Sequence, residues 1–160
     1  MPTLPVEYFE MLEDTGLGSV VRDSLWLFPV IEAVHLLGLC LLGGALLVVD
    51  LRLFGWGLRG QAIGELAGHA RRWMIAGVVV MILTGIPLFL SKAVKCYYNT
   101  SFWVKMAGLP VALGFTFAVR EPLIERDPML EVSARSRLLG AVSMALWFTV
   151  AAAGRWIGFS

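Results

Sequence analysis

Apolar residues in this chain fall into four long stretches, without the two-residue alternation of a strand. They run from about Ser24 to Val49, Trp73 to Leu90, Phe102 to Val119 and Leu138 to Phe159. Each approaches or exceeds the roughly 18–20 residues a helix needs to cross the hydrocarbon of a bilayer. The missing alternation argues against a membrane β-barrel. The pattern predicts an all-α fold, a four-transmembrane-helix bundle over residues 24–160. The first stretch is too long for a signal peptide. It also lacks a preceding basic segment and a following small-x-small site, so it is expected to stay in the mature protein.

Residues 1–23 have a different character from the rest of the chain. They hold Glu7, Glu10, Glu13, Asp14 and Asp23 against the single base Arg22. In "VEYFEMLED" Val6, Tyr8, Phe9 and Leu12 are interspersed with acids, which fits a short interfacial helix. A frayed tail is the alternative.

Composition agrees with the pattern. The chain has 160 residues, is 58% hydrophobic and 16% charged, and has a mean hydropathy of +0.78. Soluble domains carry about 25% charged residues. The net charge of +1 gives no electrostatic case for nucleic acid. Orientation follows from cations flanking the helices. Eight arginines lie between stretches one and two or three and four: Arg52, Arg59, Arg71, Arg72, Arg120, Arg126, Arg135 and Arg137. The other side has three cations, Arg22, Lys92 and Lys95. Both termini are therefore expected on the outer, periplasmic face of a bacterial inner membrane. Cys40 would lie about 24 Å below Ser24 by helical rise, and Cys96 in the outer loop, too far apart for a disulfide. Zinc-type spacings of Cys and His are absent.

That orientation gathers polar groups in the outer half. "PVIEAVHLLGLC" places Glu32 about 12 Å deep and His35 about 16 Å deep, one turn apart on one face. Gly38 is expected to leave room beside the imidazole. Lys105 lies one turn into the third helix and Arg155 near the end of the fourth. Gly85, Pro87, Gly108 and Pro110 are expected to disturb the backbone nearby, which is tolerated where it lines a cavity. The inner half shows no comparable set, since Trp73 to Leu83 is uninterrupted apolar sequence. An outer-facing polar pocket is the expectation. Snorkelling accounts for Lys105 or Arg155 taken singly. Glu32 and His35 lie too deep for that, and their alternative is a polar contact that locks helices together. His69, beside Arg71 and Arg72, reads as a headgroup-level residue.

"WLFPVIEAVHLLG", "LLVVDLRLFG", "CYYNTSFWVKM" and "AGRWIGF" resemble an uncharacterised family of small bacterial four-helix membrane proteins. More distantly, a histidine in helix one and a lysine in helix three are similar to the HemJ-type protoporphyrinogen oxidases. That resemblance implies haem b, with His35 and Lys105 matching that family's histidine and lysine. The tryptophan- and tyrosine-rich segment associated with that family after its histidine has no clear copy here.

The resulting expectation is a membrane protein that binds haem b or a related porphyrin in its outer half, with a redox role. His35 would be the axial ligand, Glu32 a candidate partner for its other nitrogen, and Lys105 and Arg155 partners of the propionates. The expected partners are the lipid bilayer, a quinone or redox partner protein, and a second copy in a homo-oligomer. Two other readings stay open. One is a non-enzymatic membrane scaffold or subunit; the other is a small transporter with a Glu32–His35 proton relay.

Overall fold

The computed structural model of the chain describes residues 5–58 and 60–159. Those residues form eight α-helices and one π-helical turn, with no strand among them. Two short helices come first, α1 (Val6–Glu13) and α2 (Gly16–Asp23). Four spans follow. They are α3 (Leu27–Phe54), α4 (Ile63–Leu90), a compound third span over Thr100–Arg126, and α8 (Ala134–Trp156). The third span comprises α6 (Thr100–Phe115), a π-helical turn (Thr116–Arg120) and α7 (Glu121–Arg126). The short α5 (Ala93–Tyr98) links it to α4.

The spans are long and apolar enough to cross a membrane. They extend past the apolar stretches at the ends opposite the termini. The second begins at Ile63, ten residues before Trp73, and the third continues to Arg126. Charged residues do not stop a helix at a bilayer surface, because nothing in a lysine, arginine or glutamate side chain disfavours the helical backbone. Termination comes from other signals. Gly55 at φ 78° closes α3 in the left-handed conformation that glycine adopts without strain. Ser133 opens α8 with a reciprocal capping box to Ser136. Pro87 and Pro110 lie inside α4 and α6 and break neither helix.

An even number of spans brings both termini to one end, here the cap end. The other is the loop end. α3 packs against α4 and α8, and α8 against α6, whereas α4 and α6 barely meet along their backbones. Small residues set the closest approach. A methyl at Gly77 would lie 2.9 Å from the backbone nitrogen of Leu42, and one at Gly38 would lie 2.7 Å from the Val80 side chain. Gly38 thus serves α3–α4 contact and not imidazole clearance. One core cluster centres on Val49, Leu53, Ile63 and Ile124, another on Leu42, Leu46 and Met74.

The amino-terminal helices close the cap end. Phe9 is buried among Phe89, Tyr97 and Trp103. Glu13 accepts a 2.7 Å hydrogen bond from the Val94 N–H at the start of α5, and also holds Arg22 at 3.3 Å. Gly18 lies so close to the Leu90 carbonyl that any side chain there would collide with backbone.

Candidate functional site

His35 projects from α3 toward α4. Its Nδ1 lies 2.7 Å from the Thr84 hydroxyl, which itself donates a 2.6 Å bond to the Val80 carbonyl. A hydroxyl has one proton. Since that proton goes to Val80, the contact with His35 requires the imidazole to donate from Nδ1. In the neutral ring Nε2 is then the bare nitrogen, with its lone pair available. Gly85 gives clearance, for a methyl there would lie 3.3 Å from His35 Cε1. Lys105, half-buried on α6, rests its ammonium against the bare backbone of Gly154 on α8. It lies within electrostatic range of both His35 and Cys96. Phe89 of α4 stacks on Phe102 of α6 above these groups, with ring centroids 5.3 Å apart.

Of the four residues singled out in the sequence, His35 and Lys105 therefore lie within electrostatic range of each other without direct contact. Glu32 does not join them through a side-chain contact. It is exposed and makes no hydrogen bond or ion pair among the described residues. The imidazole nitrogen expected to face Glu32 takes Thr84 instead, from another helix. Glu32 and Asp50 are 18 residues apart, five full turns, and so share one face of α3. Asp50 is buried under α8 while Glu32 is not. The α3–α8 seam is thus covered at the loop end and uncovered toward the cap end. Arg155 is also exposed and stands over the Phe159 ring, 4.5 Å from its centroid. His69 is exposed near the loop end of α4. Cys40 and Cys96 are both free thiols, but Cys96 is buried and not a loop residue open to water. Burial pushes its thiol up to about 11 against a partial offset from Lys105.

The loop-end half overturns the expectation that it holds no polar set. Arg120 is fully buried in the π-helical turn. It donates to Asp50 at 2.7 Å and Ser143 at 3.2 Å through one terminal nitrogen. Through the other it donates to Glu121 at 3.1 Å and the Met74 sulfur at 3.2 Å. Ser143 also donates to the second Asp50 oxygen at 2.8 Å. The cluster joins α3, α4, the third span and α8. It forms because the wider π turn keeps Ala112, Thr116, Arg120 and Ile124 all inward, where a uniform α-helix would drift away at a spacing of four. Arg120 is consequently not a loop cation, which leaves seven against three in the orientation count. Thr116 accepts from the Trp147 indole at 2.9 Å just above it. Two hollows lie at this end as well. A groove of about 410 Å³ runs beside Phe115, Leu139 and Arg126. A cleft of about 280 Å³ is lined by Gly64, Gly68, Arg71, Glu121 and Glu125.

Comparison with known proteins places the chain in the DUF6644 family, a family of unknown function that matches residues 8–160. No curated protein and no solved structure matches the chain.

Proposed function

We propose that this member of the DUF6644 family is an integral membrane protein that binds haem b, or a related porphyrin, beside His35, in a redox or electron-transfer role. One observation carries the reading. Thr84 engages Nδ1 of His35 and leaves Nε2 bare within a bundle whose α4 and α6 barely meet. Axial histidines have this arrangement, one ring nitrogen on the metal and the other held by an acceptor. The chain's residues fit such a group at its iron and at one acid: His35 would hold the iron, and Lys105 a propionate. Arg155 is turned to Phe159 and is not counted in the site. The uncovered α3–α8 seam beside Glu32 would admit the macrocycle from the bilayer. Haem, when bound, supplies one-electron chemistry. The protein's part is to fix the ligand tautomer, exclude water with Phe89 and Phe102, and compensate the acid. We place the cap end outside, on seven cations against three.

The test is an absorbance spectrum of protein purified from cells supplied with ample haem, before and after dithionite. A Soret band that is lost in His35→Ala and kept in His69→Ala supports the reading. Its absence from the wild-type protein would refute it. A second reading, a non-enzymatic membrane subunit, draws on Glu32, a carboxylate on a bilayer-facing surface where charge is costly. A partner helix supplying a cation there would appear as a larger complex in native electrophoresis, lost in Glu32→Leu.

A further inference from the structure

We propose that the Asp50–Arg120–Glu121 cluster is a proton-exchange site served by the loop-end cleft, with Glu121 as the exchanging carboxyl. This stands independently of the haem reading. The cluster sets two acids against one base, all buried, so ionisation of both acids would leave one unit of excess negative charge where charge is expensive. The two acids are not equivalent. Asp50 has both oxygens engaged inside the cluster, one by Arg120 and one by the Ser143 hydroxyl, and it lines neither hollow. Glu121 gives one oxygen to Arg120 and lines the cleft that Gly64, Gly68, Arg71 and Glu125 also border. A second feature is a donor left over inside the cluster. Arg120 Nε is buried and lacks a partner among the described residues. Native interiors satisfy such donors with ordered water.

The step balances simply. The Glu121 carboxylate takes a proton from hydronium in the cleft, becomes a carboxylic acid and releases water; the reverse step returns the proton. Arg120 bonds it directly, Arg71 from α4 and Glu125, one turn along α7, line the same cleft, and Asp50 from α3, Met74 from α4 and Ser143 from α8 meet it through Arg120. Arg71 and Glu125 pair at 2.6 Å at the mouth of the cleft.

The experiment is infrared difference spectroscopy of the full chain in lipid bilayers across a pH jump. A carboxylic C=O band should grow as pH falls, shift in heavy water, disappear in Glu121→Gln and persist in Glu125→Gln. Gly68→Phe puts a side chain into open space beside the cleft. It should slow the band's appearance several-fold without changing its final size, and it keeps the test intact should Glu121→Gln fail to fold. A band that survives in folded Glu121→Gln would overturn the assignment, as would an unchanged rate in Gly68→Phe. A band moved by replacing choline with sodium would replace the proton with a metal cation.

Discussion

The two ends of α3 carry a carboxylate on the same face and treat it in opposite ways. Asp50 is covered by α8, meets a buried arginine and a serine, and completes a cluster across four helices. Glu32, five turns earlier, is uncovered. Near it the imidazole of His35 has one nitrogen fixed and the other bare, and Lys105 lies against glycine. At the loop end the buried side-chain polar atoms, Arg120 Nε apart, are all used within the protein among the described residues. At the cap end several are left over, which is what a ligand or partner needs. A buried ion pair costs desolvation that only good geometry offsets. The loop-end geometry is good except at Arg120 Nε, and proton exchange is proposed at Glu121 of the same cluster.

The comparison breaks most severely at Arg120. Arg120→Ala would leave Asp50 and Glu121 buried without their counter-charge, a loss of about 3–5 kcal/mol. Unfolding in mixed micelles should show it as a lower midpoint or as loss of folded protein. Replacing Asp50, Arg120 and Glu121 together by apolar residues of similar volume should cost far less, and is expected to be neutral or stabilising. A triple variant as unstable as the single one would mean that the cluster's charge is not the source of the penalty.

Helix approach comes next in size. Gly77→Leu sets a side chain against Leu42 backbone, which cannot move aside as a side-chain tip can. A loss of about 1–3 kcal/mol is expected. The same change at Gly43, where an added methyl meets nothing within 4 Å, should be close to neutral. Equal effects at both positions would remove close α3–α4 packing as the reason for these glycines.

His35 should respond differently from Arg120. Its variants are expected to alter binding more than folding. Thr84→Val removes the acceptor for Nδ1–H, worth about 1 kcal/mol of stability. It also frees the ring to flip or change tautomer, so a haem spectrum should shift or weaken while the helical signal persists. Unfolding as severe as that of Arg120→Ala would make the His35–Thr84 pair structural and erase the contrast between the two ends.

The four spans were legible because bilayer crossing imposes length and composition directly on the sequence. His35 and Lys105 stood out for the same reason, as polar groups in apolar surroundings. The loop-end cluster did not. Asp50, Arg120 and Glu121 lie beside other charges in sequence and read as surface residues. Only the π-helical turn, with no sequence signature of its own, carries Arg120 inward. Thr84 was more accessible. It is the sole hydroxyl between Trp73 and Leu90, and such a residue at membrane depth needs a partner. Glu32 misled for a related reason, since helical spacing gives direction but not cover.

The smallest expected effect concerns Cys96 and sharpens the account of the cap end. A thiol held near 11 is protonated and buried at neutral pH, so an impermeant maleimide should label it slowly. Tyr98→Cys, two residues on and exposed, should label quickly from outside if the cap end is periplasmic. Labelling only after lysis would invert the orientation. The same thiol links stability to pH. Its folded form keeps the proton longer than the unfolded chain does, so stability should fall as pH rises from about 9 toward about 11. Cys96→Ala, measured by unfolding at several alkaline pH values, should flatten that decline. An undiminished slope would mean that Cys96 is open to water in the folded protein and that α1 and α5 cover it less than their packing implies.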